Sequence, residues 1–294
     1  MTLPADPFSL LTAPGGRGPL RGDGDALVTD DGTRYAVRDG IVRMLGDPEP
    51  GLVTELEAQD LALPSYLDER LFITRYENSV ARLVVEDLLG GAGGDILDAG
   101  CGVGLFGRLW PRLDLVGVDA SVTLLAQARV GYRLRVECSV AALPFADGTF
   151  DAVMAVNMLH HVTAPERAVA EFARVLRPGG VLVSVDPREV APIELAKRLL
   201  RRNNKAYAPT HRAFGVDEYR TLLGGGGAME VEELRRVGFF PLLVGGGLDA
   251  LGVSRFVPGT DRVVGALRRA DDLLLRAPGL AGTGLNLAAR ARRR

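Results

Sequence analysis

The stretch Ile96–Gly107, which reads ILDAGCGVGLFG, decides the fold. An apolar run leads into Gly100, Gly102 and Gly104, each separated by one residue, and a fourth glycine follows at Gly107. An apolar run that ends in such a turn and opens a helix is typical of the first strand and helix of a parallel α/β sheet. Glycine lets the main chain turn sharply and approach a ligand closely. We therefore predict a ligand-binding turn at the carboxyl end of a buried strand.

Alternating strand and helix patterns follow this turn. We predict strands at 95–100, 113–119, 134–138, 150–157 and 181–185, and helices at 105–110, 121–130 and 165–176. Nearly all residues of the 181–185 strand are apolar, as in a strand covered on both faces. The pattern predicts a parallel sheet with helices on both sides. Beyond Asp186 we predict a basic helix at 196–202, a helix at 230–237, a strand at 239–246, an amphipathic helix at 261–276 and a final strand at 285–291.

The chain divides by composition into three parts. Residues 1–50 are rich in Gly, Pro and Asp with short alternating runs, which indicates a small β unit. Residues 51–90 show helical spacing and predict a helical lid or linker. Residues 91–294 are predicted to form the ligand-binding domain, with a lid insertion at 188–229.

Asp98 bears on which ligand the glycine turn holds. Read from Gly102, the turn matches the dinucleotide pattern G-x-G-x-x-G; read from Asp98, it is D-x-G-x-G-x-G. A carboxylate at the strand end would repel a pyrophosphate, whereas S-adenosylmethionine (SAM) presents a sulfonium and an ammonium group. Asp119 ends the next strand, in a position to accept hydrogen bonds from ribose hydroxyls. Asp98 therefore favours SAM over NAD.

Two further segments extend the pattern, ALPFADGTFD at 142–151 and VLRPGG at 175–180. With the glycine turn, they resemble the class I SAM-dependent methyltransferase family, in the small-molecule branch that includes quinone and sterol methyltransferases. The resemblance covers residues 75–190 well and 190–294 loosely. It implies an α/β, Rossmann-like seven-stranded methyltransferase sheet and SAM as the cofactor.

The resemblance also implies a set of cofactor-binding residues. Those that match the family are Asp98, Gly100 and Gly102 at the methionyl part, Asp119 at the ribose, Ala120 beside the adenine, and Asn157 and Met158 facing the methyl group. Ser139, followed by Val140, stands where the family has an aspartate that accepts from the adenine amino group, so weaker adenine recognition is expected. Cys101 lies within the turn, although packing also suits its small side chain. Arg75 is a candidate for closing over the SAM carboxylate.

The first fifty residues resemble the zinc ribbons that precede some methyltransferases, including bacterial ribosomal RNA guanine methyltransferases. The resemblance rests on LLTAPGG and GPL near the start and on LVTDDG and YAVRDGI further on. The two C-x-x-C positions hold Ala13, Gly16, Thr29 and Gly32, none of which binds zinc. We therefore expect the shape of a ribbon and no metal.

Three histidines are candidates for a catalytic base. His160 and His161 follow the 150–157 strand, and His211 lies in the predicted lid. A general base contributes when the methyl acceptor is a hydroxyl or an acidic carbon, by about 10²–10⁴-fold. Hydrogen-bonded structural roles are the alternative for each of them.

Composition limits location and partners. No apolar run reaches membrane-spanning length, the N-terminus lacks the basic region of a signal peptide, and two cysteines are too few for a disulfide framework. A cytoplasmic location is expected. Residues 187–294 carry 19 basic and 11 acidic side chains, which suits an anionic substrate, RNA or peripheral contact with a membrane, or a solvated surface.

The sequence thus favours a SAM-dependent methyltransferase acting on an oxygen or carbon nucleophile of a small organic acceptor: a secondary metabolite, a quinone or a lipid. One alternative is a ribosomal RNA base methyltransferase, which the missing zinc ligands and the net charge of −2 disfavour. The other is a non-methylating enzyme, such as a cyclase, on the same SAM-binding fold. Segments 51–80 and 188–294 carry no recognisable motif that would name the acceptor.

Overall fold

A computed structural model describes residues 6–68, 72–190, 212–238, 260–275, 277 and 283–294. The strands in this part of the chain are β1 (Arg21–Asp23), β2 (Ala26–Val28), β3 (Arg34–Arg38), β4 (Ile41–Arg43), β5 (Ile96–Ala99), β6 (Leu115–Asp119), β7 (Tyr132–Glu137), β8 (Phe150–Val156), β9 (Leu176–Pro187), β10 (Met229–Val237) and β11 (Asn286–Arg293). The helices are α1 (Pro50–Leu67), α2 (Phe72–Leu89), α3 (Leu105–Leu109), α4 (Val122–Leu125), α5 (Pro165–Val175), α6 (Val216–Leu223) and α7 (Thr260–Leu274). None of these helices is both long and apolar enough to span a bilayer.

The described strands form one mixed sheet in the order β1-β2-β3-β4-β7-β6-β5-β8-β9-β11-β10. The strands from β4 to β9 in this order run parallel, and β11 lies antiparallel between β9 and β10. The seven strands from β7 to β10 confirm the predicted Rossmann-like methyltransferase sheet. Strand order reverses at β5, where parallel α/β sheets place their ligands outside the carboxyl ends of the strands.

The centre of the sheet is buried because its sequence is apolar on both faces. Every residue of β5 and β6 is buried, and so are the middle residues of β8. Helix α5 begins at Pro165, a residue favoured in the first turn, and buries Val169 and Phe172 against the sheet. Phe145 and Phe150 pack edge to face, with 5.0 Å between ring centroids. These contacts fix the strand ends that carry the site.

The β unit at residues 1–50 joins the main sheet instead of standing apart from it. Ile41 pairs with Arg135 and Val42 with Val136 in the parallel β4–β7 ladder. Val42 is fully buried in the same core as Val136. At the turn between β2 and β3, which holds Thr29 and Gly32, the Thr29 hydroxyl accepts a hydrogen bond of 2.9 Å from the Thr33 N–H. Strand β4, which precedes the predicted boundary at residue 50, therefore shares its sheet and its core with strands that follow that boundary.

Residues 230–237 form strand β10, so the helix predicted there is wrong. Val231, Leu234 and Val237 have helical spacing, but the pairing with β11 shifts register between Val231 and Glu233. Such a bulge inserts one extra residue, which interrupts the alternation expected of a strand. Across the ladder, Glu232 forms ion pairs with Arg290 and Arg292. The bulge explains why the apolar pattern resembles a helix.

The structure describes residues 188–190 and 212–229 of the segment for which we predicted a lid insertion. Helix α6 packs in the core, where Tyr219 and Leu223 are fully buried. The main chains of Arg188 and Phe214 form an isolated parallel β-bridge. The helix predicted at 121–130 ends at Leu125. The predicted helix at 196–202, the predicted strand at 239–246 and His211 lie outside the described residues.

Candidate functional site

A cavity of about 820 Å³ lies at the carboxyl ends of the parallel strands. Its floor includes the glycine turn after β5, the end of β6 and the turn after β8. Helix α1 contributes Leu52, Glu55 and Gln59 to the lining, and further lining residues come from the start of β11 and from the segment before α6. The reversal of strand order therefore coincides with a cavity.

Gly100 and Gly102 shape the floor of the cavity, each with a positive φ, of 71° and 52°. A Cβ at Gly100 would lie 2.7 Å from the Cβ of Met158, so the turn after β8 packs directly on it. A Cβ at Gly102 would meet no atom within 4 Å. Gly102 thus leaves open space on the cavity side, where a ligand can approach the main chain.

The later glycines serve the protein interior. A Cβ at Gly104 would lie 2.7 Å from the Cα of Ala128, and one at Gly107 would overlap the ring of Tyr132. A Cβ at Gly117 would also come within 2.7 Å of that ring. The ring of Tyr132 therefore occupies space that glycines leave beneath the ligand-binding turn.

Asp98 is the buried acid of the turn, with 2% of its surface exposed. The Tyr132 phenol donates a hydrogen bond of 2.5 Å to its Oδ2. Burial raises the pKa of Asp98 to about 7; the hydrogen bond from Tyr132 opposes that rise, and the nearby charge of Asp119 adds to it. A cation beside Asp98 would favour the ionised carboxylate.

Asp119 connects the glycine turn to the end of β6. The Gly102 N–H donates to its Oδ2 and the Ser121 N–H to its Oδ1, each at 2.8 Å. Burial raises the pKa of Asp119, and these two main-chain hydrogen bonds oppose the rise. Each carboxylate oxygen retains a further lone pair, so Asp119 can also accept from a ligand's hydroxyl groups.

Ala120, Ser139 and Val140 line the cavity next to Asp119. The Ser139 hydroxyl accepts a hydrogen bond of 3.2 Å from the Ala141 N–H, which orders the turn after β7. Within the described lining, this corner is uncharged, and it suits a flat, neutral group. The absence of an aspartate at Ser139 means that an adenine amino group would meet at most a hydroxyl there.

The turn after β8 brings Asn157 and Met158 into the cavity. Asn157 has a φ of 52°, a left-handed conformation that asparagine tolerates better than most residues. Its N–H donates a hydrogen bond of 2.7 Å to the carbonyl of Val185. The turn is thereby tied to β9, and it directs the following histidines to the same cavity.

His160 is tied to Asp186 at the end of β9. Its ring Nδ1 lies 2.8 Å from Asp186 Oδ1, and its main-chain N–H donates to the same oxygen at 3.2 Å. The Tyr219 hydroxyl donates to Asp186 Oδ2 at 2.9 Å. Burial raises the pKa of Asp186 to about 7, and the hydrogen bonds from His160 and Tyr219 oppose that rise. This network anchors the turn to β9 and α6.

His161 lies against helix α1. Its Nδ1 is 2.7 Å from Oε1 of Glu55, whose side chain is 2% exposed, while the His161 side chain is 16% exposed. Its ring lies on that of His160, with 3.9 Å between centroids. Burial raises the pKa of both Asp119 and Asp186, and a positive charge on His161 would oppose that rise in each.

The cavity brings together most of the residues predicted from the sequence. Those that line it are Asp98, Gly100, Cys101, Gly102, Asp119, Ala120, Ser139, Val140, Asn157, Met158, His160 and His161. Arg75 on α2 is half-buried and is not among the described lining residues, whereas Asn78, one turn further along that helix, is. The individual roles of these residues, of Arg75 and of His211 stay predictions.

Sequence reasoning missed Glu55 and Tyr132 as functional residues. Glu55 stands in α1 two residues from the exposed Glu57, and no motif distinguishes the two acids. Tyr132 begins a strand and carries no pattern that relates it to Asp98, 34 positions earlier. Only the packing of distant segments reveals either contact.

Comparison with known proteins agrees with this fold. Residues 97–184 match a family model described as a methyltransferase domain. An uncharacterized chloroplastic methyltransferase of Arabidopsis thaliana is 34% identical over 170 residues, which are 51% of this chain and 47% of the relative. A probable S-adenosylmethionine-dependent methyltransferase of Mycolicibacterium smegmatis is 30% identical over 152 residues, which are 50% of this chain and 57% of the relative. The chain thus spans about half the length of these curated relatives.

The fold is also similar to that of a solved protein from Thermotoga maritima. That structure is described as a SAM-dependent methyltransferase and possible histamine N-methyltransferase. The TM-score is 0.55 with 17% sequence identity, over 82% of this chain and 99% of the other. At this identity the likeness concerns the fold alone.

Proposed function

We propose that the chain binds SAM in the cavity and methylates a small organic acceptor there, because residues 97–184 match a family model described as a methyltransferase domain. The acceptor atom is an oxygen or carbon nucleophile of a secondary metabolite, quinone or lipid. One observation carries the proposal: the acids Asp98 and Asp119 and the open face of Gly102 share a single cavity with His161.

The residues of the cavity floor fit SAM in charge and in shape. SAM supplies an electrophilic methyl group on a positively charged sulfur. Asp98 and Asp119 provide the negative charge that favours such a cation, and Gly102 leaves room for the cofactor against the main chain. Ala120, Ser139 and Val140 offer an uncharged surface for the adenine. Asp119 orders the turn through two main-chain hydrogen bonds before any ligand arrives.

The part of the cavity near His161 is where we place the acceptor. The whole cavity, which also includes the floor proposed for SAM, measures about 820 Å³, within the range of about 300–1,000 Å³ for small-molecule pockets. His161 is the base that we assign to the acceptor, because it lines the cavity and its Nδ1 lies 2.7 Å from the Glu55 carboxylate. A base is needed when an oxygen or carbon acid must lose a proton before methylation. Alignment of the acceptor with the methyl group in such a cavity can contribute about 7–11 kcal/mol.

Calorimetry followed by mass spectrometry tests this function. We expect micromolar binding of SAM and of its demethylated product and no binding of NAD. Candidate acceptors are then screened for a product that is heavier by one CH₂ unit. No binding of SAM would contradict the proposal at its first step. Conversion of an acceptor without a mass change would indicate a cyclase on the same fold. Methylation of ribosomal RNA would identify RNA as the acceptor and contradict the proposal of a small molecule.

A further inference from the structure

We propose that Glu55 positions His161 as the base, so that helix α1 completes the acceptor side of the site. Glu55 lies outside residues 97–184, which match the methyltransferase domain. The inference rests on the proposed function, since it names a residue that acts through His161. If it holds, methylation also requires helix α1, which precedes residues 97–184.

The burial of Glu55 is the first argument. Its side chain is 2% exposed, although an isolated carboxylate in such a position is strongly destabilising. Its Oε1 lies 2.7 Å from His161 Nδ1, and the Gln59 side-chain amide donates to the same oxygen at 3.3 Å. Two polar partners, the imidazole of His161 and the amide of Gln59, therefore compensate for the burial of this carboxylate.

The atom that Glu55 contacts is the second argument. A negatively charged carboxylate oxygen 2.7 Å from Nδ1 favours the tautomer of a neutral imidazole that carries its proton on that nitrogen. The lone pair is then on Nε2, which is the nitrogen that can take a proton from an acceptor. An acid that holds a histidine in one tautomer and one orientation is a recurring requirement of histidine bases.

The contrast with His160 is the third argument. Asp186 receives both the ring Nδ1 contact and the main-chain N–H of His160, and it also accepts from Tyr219. That set of contacts explains His160 as an anchor of the turn. Glu55 instead comes from a different segment of the chain and contacts the imidazole of His161. Glu55 therefore has a direct means of affecting the reactivity of His161.

Variants of Glu55 separate a positioning role from a structural one. E55L removes the acceptor oxygen, and E55Q keeps an oxygen of the same reach without the charge. We expect kcat to fall by about 10- to 100-fold in E55L and less in E55Q, with the Kd of SAM within about twofold of wild type. E57L is the matched control, because Glu57 is exposed on the same helix, and it should leave kcat unchanged.

A double-mutant cycle tests whether Glu55 acts through His161. If it does, E55L causes no further loss of kcat when it is combined with H161Q. Equal losses in both backgrounds would overturn the proposal, because Glu55 would then act on the acceptor or on the fold. Circular dichroism and SAM binding verify that each variant is folded.

Nitrogen-15 NMR of labelled histidines provides a readout that requires no acceptor. In wild type we expect the neutral His161 ring to carry its proton on Nδ1, and in E55L to shift towards the Nε2–H form. The His161 signals are assigned by their loss in H161Q. A wild-type ring protonated on Nε2, or an E55L spectrum identical to wild type, would overturn the proposal. This result stands whether or not methylation of any acceptor is found, so the two proposals fail separately.

Discussion

The phenol of Tyr132 donates a hydrogen bond of 2.5 Å to the buried carboxylate of Asp98. This contact passes beneath the glycine turn, through space that Gly107 and Gly117 leave free. It stabilises the ionised form of Asp98 against the effect of burial, which raises the pKa of that carboxyl to about 7. The charge of Asp98 on β5 thus depends on a residue of β7, which lies two strands away in the sheet.

Replacement of Tyr132 by phenylalanine should weaken SAM binding near neutral pH. Y132F removes a hydrogen bond to a charged group, which contributes about 1.5–3 kcal/mol, and so raises the pKa of Asp98 further. Fewer molecules then carry the ionised carboxylate at pH 7, and the Kd of SAM is expected to rise by about 5- to 10-fold. Calorimetry at pH 7 and pH 9 measures the effect, which should diminish at the higher pH. Y35F, in the N-terminal β unit, is the control, and an unchanged Kd in Y132F would contradict the prediction.

The affinity for SAM should rise with pH between 6 and 8. The cofactor is cationic and favours ionised Asp98, whose pKa is about 7 in the free protein. Below pH 7 the carboxyl is protonated and the attraction is lost; above pH 7 it is present. Titrations across this range should show the rise in wild type and a flatter profile in D98N. The same slope in both proteins would mean that another group controls binding.

In the absence of ligand, D98N should be more stable than wild type at pH 8. Burial raises the pKa of Asp98 from 3.8 to about 7, so the folded state binds more protons than the unfolded state between these values. The contribution of Asp98 to stability is therefore present at low pH and is lost as the pH rises through 7. Because D98N has no carboxylate that must be buried in its ionised form, its free energy of unfolding at pH 8 is expected to exceed that of wild type by about 2–4 kcal/mol. Thermal denaturation at pH 5 and pH 8 measures it, and a gain of equal size at both pH values would contradict this explanation.

Alanine at two glycines should separate ligand binding from stability. G102A adds a methyl group to open space in the cavity at a positive φ, so it should weaken SAM binding by at least tenfold and destabilise the fold by about 1 kcal/mol. G107A forces a methyl group into Tyr132 and should destabilise by about 3 kcal/mol or more. Urea denaturation and SAM titration give the two quantities, with G22A as the control at an unobstructed position. A stability loss in G102A as large as in G107A would refute the distinction.

The fold could be predicted from the sequence because its centre is encoded locally. Strands β5 and β6 are mainly apolar, each with one aspartate at or near its carboxyl end, and the glycine turn follows the first of them directly. Strand β10 was missed because its bulge between Val231 and Glu233 gives a helical spacing to apolar residues. Tertiary pairing with β11 therefore outweighed the local pattern.

The cofactor side of the site could be predicted for the same reason, since its residues cluster at strand ends. The acceptor side could not. Glu55 contacts His161, which lies 106 positions later in the sequence. The contact forms only because α1 and the turn after β8 line the same cavity. An acid on a helix is far more often solvated, so its burial cannot be read from its neighbours in the chain.

The pairing of β4 with β7 also bears on how the domain can be isolated. Strand β4 occupies the hydrogen-bonding side of β7, and Arg43 adds an ion pair of 3.0 Å with Glu137. A fragment that began at residue 91 would expose the main-chain donors and acceptors of β7 as an open sheet edge. Such edges recruit strands from other molecules and promote aggregation. Strand β4 therefore covers an edge of the sheet that would be open in such a fragment.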